Sequence, residues 1–220
     1  MSNLSDTNNN DPVKKLVERK NGQEELSPMD LNPTDHPKEN EDMVAFEELH
    51  PFLQKLSDEH KDFIQQLDVF ESTLNEIKEG GISKEIDKKL STFFEFYDHH
   101  VLEHNKKEES ALFSLLKIRL SKKGEHNKGN NAYAGVDKME EEHTHALQLA
   151  AVVFNFLGLF PRLQDNNSKL VVLDLALQKG FELIELYRLH IYREDNIIFP
   201  QAHDVITTEE FDEMLADFTA

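Results

Sequence analysis

The chain carries one ten-residue pattern twice, as HNKKEESALF at residues 104–113 and as HIYREDNIIF at residues 190–199. Both copies place a histidine four residues before a glutamate, His104 before Glu108 and His190 before Glu194. Residues four apart on an α-helix lie within about 40° of each other around the axis. Each copy therefore offers an imidazole nitrogen and a carboxylate on one helix face, which is half of a metal site. Two half-sites predict a dinuclear centre.

The repeat extends to an earlier histidine in each half of the chain. His60 and His143 are spaced much like the two histidines of the ten-residue pattern, and each follows two acids, in DEH and in EEH. We interpret the chain as two helical hairpins, each with one histidine on its first helix and His-x-x-x-Glu on its second. Packed as an up-down-up-down four-helix bundle, the hairpins bring six candidate metal ligands into one core. These are His60, His104, Glu108, His143, His190 and Glu194.

Composition excludes several classes of function. With a net charge of -19, the chain lacks the positive charge that binding to nucleic acid or to an anionic membrane surface requires. It has no cysteine, so disulfides, thiolate zinc sites and cysteine-bound iron–sulfur clusters are excluded. The start lacks the apolar segment of a secretion signal, and the longest apolar stretch, 146–160, is too short to span a bilayer. We expect a cytoplasmic protein without nucleic-acid or membrane partners.

The chain divides into three segments. Residues 1–40 lack hydrophobic periodicity and are expected to form a disordered or loosely docked tail. Residues 45–205 hold the all-α bundle, and a polar loop over 121–135 separates its two hairpins. Its four helices are predicted at about 51–78, 83–120, 137–160 and 168–199. The sequence TTEE at 207–210 predicts a capping box that opens a short final helix within 206–220.

Apolar rows predict which helix faces turn inward. On the second helix, the row passes through the ligand positions and continues to Ala111 or Leu112 and to Leu115, with Phe113 and Leu116 outside it. On the third helix, the inward row is predicted to be Met139, His143, Ala146 or Leu147, Ala150, Phe154 and Leu157.

The third helix has more apolar residues than one core can hold. Its outer face is predicted to carry Leu149, Val152, Phe156 and Leu159, and an exposed patch of that size is uncommon on a monomer. We expect the final helix, the N-terminal segment or a second subunit to cover this face. A homodimer through the third helix is therefore one predicted partnership.

The remaining histidines are assigned by their positions around the helices. His100 lies one turn before His104 on nearly the same face, so it is either an alternative ligand or a residue that supports the ligands from behind. His99 and His145 are expected to face outward. The histidines outside these helices are expected to be exposed or structural, and they are His36, His50, His126 and His203.

The ligand set constrains the metals. If Glu108 and Glu194 bridge, each of two metals receives two nitrogens and two oxygens and keeps positions for a small molecule. Imidazole and carboxylate together suit iron, manganese or zinc rather than copper(I) or calcium. A narrow bundle admits dioxygen, nitric oxide or peroxide. On the fourth helix, Glu194 is favoured over Asp195 because it lies nearly in line with His190 and occupies the repeat position of Glu108. Asp195 is expected to be an outer residue or to support a ligand from behind.

At this point the chain resembles the hemerythrin-like (HHE cation-binding) family of non-haem di-iron four-helix bundles over about residues 45–203. It looks closest to the bacterial members that act in repair of iron–sulfur centres. The resemblance implies two iron ions, with the six residues named above as their ligands. The chain departs from the oxygen carriers, because Met139 and Leu147 stand one turn either side of His143 where those carriers have a fifth histidine. It also lacks the N-terminal cysteine pair of the repair proteins.

Three functions compete at this point. The first is a di-iron protein that binds or reacts with a small oxidant in stress response, sensing or iron-centre maintenance. The second is an iron-binding or storage module without turnover. The third is a structural helical bundle that holds zinc or no metal. The sequence does not decide whether the protein is an enzyme.

Overall fold

The structure, a computed structural model, describes residues 45–124 and 134–218. Within these ranges the chain is helical and contains no strand, which confirms the all-α prediction for this part. The predicted tail over 1–40 and its His36 lie outside the described residues. So does most of the predicted loop between the hairpins, with His126.

Five helices make up most of the described chain, and we number them in order. They are α1 (Pro51–Gly80), α2 (84–124), α3 (Ala134–Leu159), α4 (166–205) and α5 (Thr208–Asp217). Two short 3-10 turns, Phe46–Glu48 and Phe160–Arg162, precede α1 and follow α3. Helix α4 ends at 205, somewhat beyond the predicted end near 199.

Local capping explains where these helices begin. The Nδ1 atom of His50 accepts a hydrogen bond from the Phe52 amide at 3.2 Å, and Pro51 occupies the first helical position of α1. Ser83 and Asp165 cap α2 and α4 in the same way. Thr207 and Glu210 form the predicted capping box at the start of α5.

Helices α2 and α4 contain π-helical turns next to the candidate ligands. In α2 they are Tyr97–Val101 and Glu108–Phe113, and in α4 the turn is Glu194–Ile198. A π-turn holds an additional residue, so the side chains that follow it are rotated about the helix axis. The two glutamates of the repeat therefore each begin a π-turn.

The π-turn after Glu108 changes which residues of α2 reach the core. Phe113 and Leu116 are fully buried, whereas Ala111 and Leu115 are only partly buried. The prediction that Phe113 and Leu116 lie outside the inward row is therefore wrong. A constant α-helical period cannot represent the additional residue.

Two apolar clusters fill the bundle, with a polar layer between them. Along α1, His60 separates Leu56, in the cluster that includes α5, from Phe63, in the other cluster. Along α3, His143 separates Met139 from Ala146 in the same way. The polar layer is buried and consists of His60, His104, Glu108, His143, His190 and Glu194.

Helix α3 packs differently from its predicted register. Leu149 is buried, although it was predicted to face outward, and Phe154 is 59% exposed, although it was predicted to face inward. The buried row keeps the predicted Ala146 and Ala150 and continues to Val153 in place of Phe154. These small side chains allow α3 to lie close against α4. Helix α5 does not cover the outer face of α3, because its Phe211 packs on Phe52 of α1.

The segment Gly135–Arg162 is long and apolar enough to cross a membrane by length and composition, and 28% of its most apolar part is buried. The expectation that this region is too short for a bilayer therefore holds only for its uncharged part, 146–160. The same helix carries Glu142 and His143, both buried in the bundle. The face of the helix that carries these two residues is buried in the bundle, and the opposite face is exposed.

Candidate metal centre

The four histidines of the polar layer form two close pairs. The Nε2 atoms of His60 and His104 lie 3.0 Å apart, and those of His143 and His190 lie 2.9 Å apart. Each pair contains one histidine from the first helix of a hairpin and one from its second helix. The pairs therefore follow the sequence repeat.

Glu108 and Glu194 lie between the two pairs, and each presents one oxygen to each pair. Glu108 Oε1 lies 3.2 Å from His104 Nε2, and its Oε2 lies 3.4 Å from His143 Nε2. Glu194 Oε2 lies 3.2 Å from His60 Nε2, and its Oε1 lies 3.1 Å from His190 Nε2. These side chains make two groups of potential metal ligands that share both glutamates. This is the arrangement that two bridging carboxylates require.

A second set of carboxylates holds the outer nitrogen of every histidine. The Nδ1 atoms of His60, His104, His143 and His190 lie 3.0, 2.9, 2.9 and 3.1 Å from Asp195, Glu59, Glu109 and Glu142 respectively. We call these four acids the outer carboxylates. With its Nδ1 hydrogen donated outward, each imidazole would present its Nε2 lone pair to a metal at the centre.

Sequence reasoning identified one of the outer carboxylates, Asp195, and missed the other three. A signal was present, because every outer carboxylate adjoins a candidate ligand in sequence. Glu59 and Glu142 precede the first histidine of each hairpin, and Glu109 and Asp195 follow the glutamates. Neighbouring residues on a helix point in different directions, which lets one acid reach the centre while the next reaches a histidine on another helix.

Opposite charges determine the protonation of the histidines without metal. Burial lowers the pKa of His60, but the Asp195 and Glu194 carboxylates outweigh it and raise that pKa to about 9. The same balance raises the pKa of His104 and of His190 to about 10.

The two central carboxylates respond in the opposite direction. Burial raises the pKa of Glu194, but the His190 and His60 imidazoles outweigh it and hold that pKa well below its ordinary value. For Glu108, burial and the Glu194 charge raise the pKa, and His104 and His143 bring it below the ordinary value. Both glutamates are therefore anions at neutral pH.

The residues of the centre fit a pair of metal ions. All four side-chain oxygens of Glu108 and Glu194 are buried and make no hydrogen bond of their own. A cation in each group satisfies the nitrogens and the oxygens together. Nitrogen and oxygen donors suit iron, manganese or zinc.

The structure does not bring His100 to the centre. It is exposed, and its ring stacks on Phe96 at 4.7 Å. His100 lies within the π-turn Tyr97–Val101, which breaks the register that placed it on one face with His104. The prediction that His100 is an alternative or supporting ligand is therefore wrong. His99 and His145 are exposed as predicted, and His50 is structural.

Cavities reach both histidine pairs from the surface. One of about 120 Å³ is lined by Glu59, His60, Phe96, His100 and Lys107, among others. Another of about 450 Å³ borders His143, between α2 and α3. The first has room for a molecule of a few atoms next to the His60–His104 pair.

Comparison with known proteins identifies one family. The family model of the hemerythrin HHE cation-binding domain matches residues 51–202, which is more than half of the chain. No curated protein and no solved structure matches the chain.

Proposed function

This chain belongs to the hemerythrin HHE cation-binding domain family, and from that premise we propose that it is a non-haem di-iron protein that binds or reacts with a small oxidant. The oxidant is dioxygen, nitric oxide or peroxide. The observation that carries the proposal is the placement of Glu108 and Glu194, each with one oxygen toward each histidine pair.

We assign the ligands by these contacts. His60 and His104 would hold one metal, His143 and His190 the other, and both glutamates would bridge. Iron is the metal that the family and the donor set favour, and manganese or zinc would fit the same donors. The up-down-up-down arrangement of α1 to α4 belongs to this proposal, because it lets each hairpin deliver its histidines to the same layer.

The iron pair would supply electron transfer with the oxidant at a position that no protein ligand occupies. The chain's own residues orient the centre and bury it within the bundle. The outer carboxylates fix each imidazole through its Nδ1 hydrogen, while the apolar clusters on either side of the polar layer exclude solvent. The 120 Å³ cavity beside His60 would admit a small molecule to the His60–His104 pair.

The second candidate function is iron binding or storage without turnover, and the fit of zinc to the same donors keeps a structural bundle as the third. Mixing reduced, iron-loaded protein with dioxygen, nitric oxide or peroxide under stopped flow tests the first function. We expect a spectral change that saturates with the oxidant. No change with any of the three would favour storage.

We also propose a homodimer through α3. A stripe of exposed residues, Leu147, Ala151, Phe154 and Gly158, runs along this helix at spacings of four and three. No charged residue occurs between 146 and 160, although the chain carries a net charge of -19. Because the net charge of the chain repels a second copy, an uncharged apolar stripe is a face on which two copies can meet.

The proposal places the protein in the cytoplasm. Helix α3 has the length and hydropathy of a membrane span, but its Glu142 and His143 are directed into the bundle and contact His190 and Glu108. A bilayer position would remove these two residues from their partners. A dimer accounts for the exposed apolar residues of α3 without a membrane.

A further inference from the structure

Two basic side chains, Lys107 and Arg193, contact outer carboxylates of the centre, one on each hairpin. Lys107 Nζ lies 2.6 Å from Glu59 Oε1, and the other oxygen of Glu59 accepts from His104 Nδ1 at 2.9 Å. Arg193 Nη1 donates to Glu142 Oε1, and the other oxygen of Glu142 lies 3.1 Å from His190 Nδ1. In both sets of contacts a basic side chain binds one oxygen of a carboxylate, and the other oxygen of that carboxylate contacts a histidine of the centre.

The two sets of contacts occupy equivalent places in the sequence repeat. Lys107 is three residues after His104, and Arg193 is three residues after His190. Residues three apart share a helix face, so each cation lies beside the outer edge of its own histidine. The acid comes from the neighbouring helix of the same hairpin, which ties the two helices together at the level of the centre.

The other two outer carboxylates have no such partner. Among the residues that the structure describes, Asp195 and Glu109 form ion pairs only with His60 and His143. Their side chains are 30% and 47% exposed, whereas that of Glu142 is 5% exposed. Each histidine pair therefore contains one imidazole whose outer carboxylate is bound by a cation and one whose outer carboxylate has no cation among the described residues.

We propose that Lys107 and Arg193 are positioning residues of the metal centre, which fix the rings of His104 and His190 through Glu59 and Glu142. This inference rests on the proposed function. A carboxylate with one oxygen bound to a cation cannot turn freely, so the ring on its other oxygen keeps its Nε2 atom directed toward the centre. Less freedom is then lost when a metal binds.

Arg193 and Lys107 differ in their surroundings. This difference predicts which of the two metals binds more tightly. Arg193 offers a planar set of donors and acts on a carboxylate that is 5% exposed, whereas Lys107 is a single charge on a carboxylate that is 30% exposed. Solvent competes less with the first contact than with the second. The metal held by His143 and His190 therefore binds more tightly than the metal held by His60 and His104.

The test is a titration of the metal-free full chain with Co²⁺, followed by the d–d absorption bands of the bound ion. Arg193→Met is expected to weaken the tighter of two binding steps about tenfold and to shift its bands, and Lys107→Met to do the same to the weaker step. Arg193→Lys and Lys107→Arg should restore most of the affinity, because they keep the charge.

Matched controls exist on the same helices. Arg188 pairs with Asp68 and Glu71 on the surface, and Lys106 pairs with Glu103, so Arg188→Met and Lys106→Met remove a charge without touching the outer carboxylates. These variants are expected to bind Co²⁺ as the parent does. Thermal unfolding of every metal-free variant checks that each one folds.

The outcomes separate this inference from the proposed function. If the parent binds two Co²⁺ and Arg193→Met and Lys107→Met bind them with unchanged affinities and bands, the positioning role is overturned. An equal loss in the control variants would also overturn it, because the effect would then be one of general charge. Failure of the parent to bind any metal would overturn the proposed function instead.

Discussion

Glu194 and Asp195 are neighbours in sequence that contact opposite nitrogens of the same histidine. Glu194 Oε2 lies 3.2 Å from Nε2 of His60, and Asp195 Oδ1 lies 3.0 Å from its Nδ1. Glu194 is fully buried and shared by both pairs, whereas Asp195 reaches only one ring and is partly exposed. The two acids therefore have different tasks, one inside the centre and one behind it.

This difference predicts unequal effects of two near-isosteric changes. Glu194→Gln removes the charge of a bridging ligand and is expected to abolish binding of the metal pair. Asp195→Asn weakens only the support of one ring, so it should retain both metals with affinity lower by about 10–100-fold. Elemental analysis after dialysis against a weak chelator measures both. If Asp195→Asn loses the pair and Glu194→Gln keeps it, the assignment of Glu194 is wrong.

The pH dependence of stability is expected to differ between the metal-free and loaded proteins. The pKa of His60 is about 9 and those of His104 and His190 about 10, all above the ordinary value of 6.5. Raised values of this kind stabilise the fold fully below pH 6.5, and the contribution is lost as the pH rises through 9 and 10. The metal-free protein should therefore become less stable over that range.

In the loaded protein the Nε2 atoms bind metal and have no proton to lose, so this loss should be absent. Urea unfolding of both forms at about pH 6, 8 and 10 measures the difference. A metal-free protein whose unfolding midpoint stays constant or rises with pH would contradict the charge balance described for the centre.

The inward histidines and glutamates could be predicted from sequence because polar residues interrupt apolar rows at repeated positions. The outer carboxylates were harder to predict. Glu59 and Glu142 contact histidines 45 and 48 residues away, and only the packing of two helices decides which ring each acid reaches. The same holds for Lys107 and Arg193, which look like ordinary surface charges when read alone.

At the scale of single helices, the π-turns account for the main errors in the sequence-based register. His104 and Glu108 were placed correctly relative to each other because the segment between them, Leu102–Lys107, is α-helical. Beyond Glu108 the additional residue of the π-turn rotates Phe113 and Leu116 into the core. Neither residue composition nor apolar spacing marked the position of that turn. Helix α3 was misread for another reason, since it is apolar on several faces at once.

The capping box at the start of α5 can be tested by mutation. The Thr207 side chain accepts from the Glu210 amide, and the Glu210 carboxylate accepts from the Thr207 amide at 3.0 Å. Thr207→Ala removes half of this box and is expected to lower the free energy of unfolding by about 1 kcal/mol. Urea unfolding measures the change.

Thr208→Ala is the matched control, because Thr208 is exposed and has no part in the box. It should change the free energy of unfolding by less than about 0.5 kcal/mol. Equal losses in the two variants would show that the capping contacts do not hold α5.

At the scale of the whole molecule, the repeat explains why one polar layer can exist inside an apolar bundle. Six polar side chains are buried together, and each of the four imidazoles is supported by an outer carboxylate. Burying this polar layer costs free energy of folding. Packing of the apolar clusters on either side of it offsets that cost. The sequence predicted the repeat and the all-helical class, since both depend on patterns within single helices. How α3 and α4 pack could not be predicted from those patterns.

The uncharged stripe on α3 predicts the oligomeric state. We expect a dimer in sedimentation velocity, and Phe154→Glu should convert it to a monomer with unchanged metal content, because a charge would enter the interface. Leu189→Glu is the control, as Leu189 is 47% exposed on α4 outside the stripe. A monomeric parent protein, or a dimer that survives Phe154→Glu, would contradict the proposed interface.

The metal content of the purified full chain tests the central claim most directly. Protein expressed with ample iron and dialysed should contain about two iron ions per chain and show the near-ultraviolet bands of an oxo-bridged diferric centre. Both signals should disappear together in Glu108→Gln, because one glutamate serves both metals. Well under one metal per chain in the parent, or a Glu108→Gln protein that keeps the full complement, would contradict a centre bridged by Glu108 and Glu194.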